Sequence, residues 1–354
     1  MTTNLPPNQG HRRGHAGWWF AAFTLACLGG AAAYVAWRSH GATPAPAAVP
    51  ASDVGELRTR LSEIRRGPHV YFRSLRAAEF GKVVVGTLDA PNEQRVATDL
   101  SCDRLDFGRN AGICLVDNRG HLGAAGLAHL VDRNFQVRHT VDLAGFPIRA
   151  RLSPDERYAV ATVFVTGESY ESDFTTRTTI IDVRTGMIVG ELEQYDTRRQ
   201  QQTFSRVDFN FWGVTFRGDG RSFYATLGTA GARHLVRGDV VDKRMDVIGD
   251  AVECPSLSPD EQRLVFKSRV AGSRAWRLHA RDLSSGRMWP IAETRSVDDQ
   301  VEWLDNGHVL YQIVESRGLP EDAVHVWRST IESGDSTAPT IYIRSASSPA
   351  VVIP

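Results

Sequence analysis

The feature that most restricts this chain is a short repeat. Leu152-Ser153-Pro154-Asp155-Glu156 returns as Leu257-Ser258-Pro259-Asp260-Glu261. Phe216-Arg217-Gly218-Asp219-Gly220 is a variant, and Trp303-Leu304-Asp305-Asn306-Gly307 is a weaker one. An apolar, strand-like run follows each copy: YAVATVFV, RLVFKS, SFYATL and HVLYQI. A second element comes further on, as Ile181-Asp182-Val183-Arg184-Thr185-Gly186 and Arg281-Asp282-Leu283-Ser284-Ser285-Gly286, with Gly238-Asp239-Val240 as a looser copy. Asp, Ser and Thr side chains hold nearby backbone there and Gly accepts positive φ, so this element predicts a tight turn from a third strand into a fourth. Four short strands in about 40–50 residues describe one blade of a β-propeller. From His69 to Pro354 the chain holds six such units at about 48 residues each, with seven as the alternative count. The fold expected is therefore all-β, a six-bladed β-propeller over residues 69–354.

The first blade supplies only three strands at its N-terminal end: HVYFRS, KVVVGT and QRVATD. Ser348-Pro349-Ala350-Val351-Val352-Ile353 reads like the first strand of the other blades. It is expected to complete blade 1 and close the ring, because an open sheet edge invites mispairing.

What precedes the propeller is of another kind. Residues 1–17 are polar and read as a cytoplasmic tail. Trp18 to Trp37 carries no formal charge, and at about 1.5 Å rise per residue it spans the hydrocarbon core of a bilayer. Trp18, Trp19, Tyr34 and Trp37 stand at its ends, where amphipathic rings favour the headgroups. Arg12 and Arg13 precede the span, which favours a cytoplasmic N-terminus and an exported body. The expectation is a single-pass signal anchor at residues 18–37, with cleavage or lipidation as minor alternatives. Residues 38–68 are an Ala/Pro-rich spacer followed by a short charged, helix-compatible stretch. Forty-one Lys+Arg balance 41 Asp+Glu, and this zero net charge argues against a nucleic-acid partner.

The LSPDE repeats and the order of strands resemble the PD40 repeats of TolB-like β-propellers, in particular membrane-anchored actinobacterial members. Cys102-Asp103-Arg104 with Gly112-Ile113-Cys114-Leu115, Val163-Phe164-Val165-Thr166-Gly167, Trp212-Gly213-Val214-Thr215-Phe216, Val252 to Asp260 and Glu293 to Gln300 carry the likeness. The resemblance implies the fold and a mode of action by binding partner proteins. The transmembrane anchor and the lack of a separate N-terminal α/β domain depart from TolB, so a role in a Tol-type system is not implied.

Cys102 and Cys114 flank a short hairpin, with Gly108, Arg109 and Asn110 near its tip. Pairing about position 108 would set the two cysteines opposite each other, and an exported domain can keep such a bridge oxidised. Cys254 is expected to be a small buried residue. The repeat residues Asp155, Asp219 and Asp260 read as turn stabilisers rather than catalysts.

Aligning the repeats puts Arg149, Gly213, Cys254 and Gln300 at one equivalent position. Arg151, Thr215, Ser256 and Glu302 follow two residues later. Period-two alternation would turn both sets toward the central channel. Trp212, Glu253, Asp298 and Asp299 fall near the same strand starts. The candidate binding residues at a channel mouth are thus Arg149, Arg151, Trp212, Glu253, Asp298, Asp299, Gln300 and Glu302. The competing interpretation is an internal salt-bridge network that holds the blades together.

There is no GxSxG elbow, HExxH motif or Walker loop. No cofactor is implied. Carboxylates at a propeller mouth can bind Ca²⁺, but no Asp-rich calcium loop is present. The expected function is a non-catalytic, monomeric binding or scaffold module outside the membrane, with an envelope protein or a cell-wall ligand as partner. The polar insertions 166–178 and 193–206 are natural contact surfaces. The alternative is a propeller hydrolase or lyase acting on a glycan or lactone through its polar channel.

Overall fold

A computed structural model describes residues 23–25, 27–30, 51–120, 124–167, 174–315 and 323–354. By contacts the chain divides into two units, Met1–Gly55 and Glu56–Pro354. Among the described residues no helix is long and apolar enough to cross a membrane. Most of the expected span 18–37, the tail 1–17 and much of the spacer lie outside the described residues, as do positions 168–173 of the expected contact loop.

The second unit is a six-bladed β-propeller. Blades 2, 3, 5 and 6 are four-stranded meanders whose innermost strands are Arg104–Phe107, Phe146–Leu152, Glu253–Leu257 and Glu302–Asp305. Blade 4 begins with Asn210–Phe216. Blade 1 takes its innermost strand from the other end of the chain: Ala346–Val352 pairs antiparallel with His69–Ser74, matching His69 to Val352 and Ser74 to Ala346. The ring is closed as the sequence predicts. A helix, Ala51–Ile64, precedes the first strand, and its Leu61 and Ile64 pack beside Tyr71 and Phe107.

Apolar residues on alternate strand positions fill every junction between blades. Tyr71, Val83 and Ala350 meet Leu105 and Cys114 between blades 1 and 2. Leu227 and Val236 of blade 4 meet Tyr158 and Ile180 of blade 3. The last junction joins Leu310, Val326 and Ile343 of blade 6 to Val70, Phe72 and Ala346 of blade 1. Burial of this kind stabilises by about 25 cal/mol per Å² of apolar surface. The closing strand contributes to both junctions of blade 1.

The repeat is built to hold turns and to tie neighbouring blades. Ser153 Oγ donates to Asp155 Oδ1 (2.6 Å) and accepts from the Tyr158 N–H (2.9 Å). Ser258, Asp260 and Arg263 repeat this arrangement. The glutamate that follows reaches back one blade. Glu156 Oε1 accepts from Asn110 N (2.9 Å), and Glu261 Oε2 pairs with Arg217 Nη2 (2.7 Å). The second element also caps its turn: Asp282 accepts from Ser285 N (2.7 Å), and hydrogen bonds led by this one hold its carboxyl far below the usual range.

Two local expectations need correction. Residues 193–206 are not a free loop. After a 3₁₀ turn at Leu192–Gln194, Asp196–Arg199 pairs in parallel with Arg244–Asp250, and Gln202–Thr203 pairs with it in turn, so blade 4 has six strands. Leu192 and Tyr195 are buried in the junction of blades 3 and 4, which draws the segment onto the sheet. The Cys102–Cys114 disulfide is present, with Cα atoms 5.3 Å apart, but its strands pair in a different register. Gly108 N donates to Ala111 O, so Cys114 lies opposite Leu105. Cys102 precedes the strand, at the crossing from blade 1 to blade 2, where its N–H donates to Gly81 O (3.0 Å). The bridge therefore staples a blade junction rather than a hairpin.

Deleting residues 346–354 should lower the thermal midpoint by on the order of 10 °C or abolish cooperative unfolding, as read by circular dichroism. Cys102→Ser with Cys114→Ser should cost up to about 3 kcal/mol in denaturant unfolding, and non-reducing peptide mapping should recover the two cysteines as one linked peptide pair.

Candidate functional site: the central channel

The six innermost strands contact one another in sequence around a central channel. They run in the same direction, so the channel has an upstream mouth, where they begin, and a downstream mouth, where they end. The downstream mouth is a cavity of about 640 Å³ bordered by Phe107, Leu152, Phe216, Leu257, Leu304 and Val352 and by the turns that follow these residues. Arg151, Thr215, Ser256 and Glu302, the second aligned set, all border it.

Its floor is a charge cluster. Arg151 Nη1 lies 2.5 Å from Glu302 Oε2 and 4.0 Å from Asp106 Oδ2, and both side chains of the closer pair are 15% exposed. Each carboxylate also holds backbone of the next blade. Asp106 Oδ2 accepts from Leu152 N (2.7 Å), and Glu302 Oε1 accepts from Val351 N (3.1 Å). Thr215 Oγ1 plays the same part for Leu257 N (3.1 Å). Burial pushes the Asp106 carboxyl up to about 7, against the pull of Arg151 and with the help of Glu302.

Above this floor is a chamber of about 30 Å³ lined by Arg104, Arg149, Arg151, Asp299, Gln300, Glu302, Gln312 and Ser348, among others. Gln300 Nε2 donates to Val214 O (3.0 Å) and Pro255 O (2.8 Å), so one amide ties blades 4 and 5 to blade 6. Asp299 Oδ2 accepts from Gln312 N (3.0 Å), and its Oδ1 stands 3.9 Å from Arg149 Nη2.

The other expected residues form a separate group upstream. Trp212 is fully buried in an apolar cluster with Ile148, Phe164, Cys254 and Trp276. Glu253 accepts from Trp276 Nε1 (3.3 Å) and lies 3.9 Å from Arg233 Nε. Asp298 pairs with Lys267, whose side chain is fully buried. Of the eight residues singled out by repeat alignment, Arg149, Arg151, Asp299, Gln300 and Glu302 come together around the chamber.

Gly213 and Cys254 do not line the chamber with Arg149 and Gln300, although the alignment makes them equivalent. Both have positive φ, 65° and 49°, and both interrupt the pairing register of their strands. A Cβ at Gly213 would stand 2.6 Å from Cys254 Cα, so this close approach requires glycine. The bulges break strict alternation and turn Cys254 into the apolar cluster.

Sequence reasoning missed Arg104, Asp106 and Gln312. Blade 2 lacks the LSPDE turn and carries Gly108-Arg109-Asn110 instead, so the repeat alignment stopped short of it. The pattern Arg104-Leu105-Asp106-Phe107 beside Arg149-Ala150-Arg151-Leu152 was the available signal. Among the described residues no group of three or more His, Cys, Asp or Glu is arranged to hold a metal ion.

Among solved structures, TolB from Acinetobacter baumannii matches 80% of this chain and 66% of its own length at 15% identity, with a TM-score of 0.54. The likeness lies in the β-propeller fold. A chain of a nidogen/laminin complex matches 80% of this chain and 98% of its own, at 10% identity and a TM-score of 0.51. Identities this low carry the architecture alone, and the chain spans about two thirds of the TolB it matches. No protein-family model and no curated protein matches the sequence.

Arg151→Met should destabilise the propeller by about 3–5 kcal/mol, because it leaves buried carboxylates without their counter-charge. Adding Glu302→Gln should recover part of that loss in a double-mutant cycle. Asp106 titrates higher in the folded protein than its ordinary 3.8. Its stabilising contribution is therefore complete below the unfolded carboxyl range and is lost as pH rises through about 7. Asp106→Asn should flatten the pH dependence of unfolding free energy over roughly pH 4–8.

Proposed function

We propose that this propeller is a non-catalytic binding module, held outside a cell membrane by residues 18–37, that takes an envelope protein or cell-wall ligand at its downstream mouth. The observation that carries this reading is a mouth of about 640 Å³ whose floor is closed by the Arg151–Glu302 pair. The floor charges are engaged with one another and with backbone, so the mouth offers a preformed recess rather than an exposed acid–base set. Its rim joins apolar surface from Pro154, Pro259 and Ile353 to polar groups of Asn110, Asp155 and Glu156. Such a mixed, concave surface suits recognition. The TolB-like fold is compatible with this role.

The test places a photo-crosslinking residue at Asn110, in the downstream mouth, and at Ser273, in a turn between second and third strands at the opposite end of blade 5. The full-length chain in its own cells should yield one discrete adduct from position 110 and none from position 273, and it should fractionate with membranes. Adducts from 273 alone, or release of the propeller as a soluble protein, would count against the proposal.

A further inference from the structure

The free edges of the innermost strands are not all served alike. Asp106, Thr215 and Glu302, in blades 2, 4 and 6, each hold an amide of the next blade: Leu152 N, Leu257 N and Val351 N. The residues at the same place in blades 3 and 5 are Arg151 and Ser256. Arginine has no acceptor to offer. Ser256 is 2% exposed and borders the downstream recess, and among the described residues its hydroxyl makes no hydrogen bond. The amides these two residues would serve are Phe216 N in blade 4 and Trp303 N in blade 6.

Both amides turn to the channel. Arg217 N pairs inside its own blade with Ser222 O, as Ser153 N and Ser258 N pair inside theirs. Successive N–H groups of an antiparallel strand point to opposite sides, so Phe216 N faces the channel as Leu152 N and Leu257 N do. Trp303 follows Glu302 and lies opposite Val309, just as Leu152 follows Arg151 and lies opposite Ala159. Phe216 and Trp303 both border the recess, and among the described residues no side chain accepts from either amide. One side of the floor, from blade 4 to blade 6, thus presents two N–H donors with a hydroxyl between them. An occupant that covered such groups without supplying acceptors would leave them unpaired, so they select what can bind.

We infer that this side of the recess is a subsite for the main chain of an uncharged, extended peptide segment of a partner protein, whose carbonyl oxygens accept from Phe216 N, Trp303 N and Ser256 Oγ. The inference deepens the proposed function and rests on the downstream mouth being the binding surface. An extended peptide sets its carbonyl oxygens at regular intervals, and main-chain hydrogen bonds of this kind are how a segment adds to a free strand edge. A recess of about 640 Å³ has the size of a ligand site. A sugar ring has no platform here, because Phe107, Phe216 and Trp303 are each only 6% exposed. A carboxylate ligand would meet Glu156, Glu261 and Glu302, while Arg151 is engaged with Glu302 and Arg217 with Glu261.

The test follows the amides of Phe216 and Trp303 by nitrogen-15 NMR in the full-length chain, labelled at Phe and Trp and held in detergent micelles. The probe is N-acetyl-dialanine methylamide at millimolar concentration, compared with methyl N-acetylglucosaminide and with acetate. The peptide should move both amide protons downfield to saturation, and the sugar and acetate should leave them in place. Ser256→Ala should weaken the peptide by about threefold to tenfold. Unchanged affinity in Ser256→Ala, or equal movement of the amides by sugar or acetate, would overturn the inference. Unmoved amides, with the adduct from position 110 still formed, would overturn the subsite and leave the binding mouth standing. Loss of that adduct would remove the reading on which the subsite rests.

Discussion

The constraint on which this structure depends is the unpaired side of its innermost strands. A strand in a sheet interior has partners on both sides, whereas an innermost propeller strand has one partner and faces the channel with its other edge. Backbone groups left there without hydrogen bonds would be costly. This chain meets the need with side chains. Asp106, Thr215 and Glu302 occupy equivalent places in blades 2, 4 and 6, and each accepts an N–H from the innermost strand of the next blade. Ser348 serves Leu105 in the same way (3.0 Å), and Gln300 serves two carbonyls at once. The channel lining is thus a mechanical seam as well as a surface.

That seam explains why the channel holds charge at all. Acceptors strong enough to hold several backbone groups are carboxylates, and carboxylates withdrawn from water require cations. Arg151 supplies the cation between Glu302 and Asp106. The result is a closed floor under a wide downstream mouth. Upstream, Trp212, Trp276 and Phe164 pack into an apolar cluster flanked by the Lys267–Asp298 and Arg233–Glu253 pairs. At the downstream end the channel opens into a recess, whereas an apolar aromatic cluster packs near the upstream starts of the innermost strands.

The LSPDE turns show how much a repeat reveals. Their Ser and Asp build the turn locally, so their structural role was legible in the spacing. Their Glu binds the previous blade, a long-range role invisible to any local pattern. Blade 2 shows the converse. Its Arg104 and Asp106 occupy the chamber and its floor, but the turn beside them lacks the signature and hid the equivalence. Residues 193–206 were read as a loop because they are polar, whereas Leu192 and Tyr195 anchor the segment that becomes an added pair of strands.

By itself the sequence determined the class of fold and the identity of the closing strand, and it narrowed the blade count to six or seven, of which the structure has six. Those properties rest on local turn chemistry and on alternation, which repeat along the chain and need no knowledge of distant contacts. It also placed Arg151, Thr215, Ser256 and Glu302 on one ring, because equivalent positions in equivalent strands meet around a common axis. Tertiary structure alone decided which residues one step upstream could join them. Positive φ at Gly213 and Cys254 breaks the alternation that alignment assumes, and the close packing of blade 4 against blade 5 maintains it. The same long-range packing brings Arg104 and Arg149 to one carbonyl oxygen, although 44 residues separate Arg104 from Ile148.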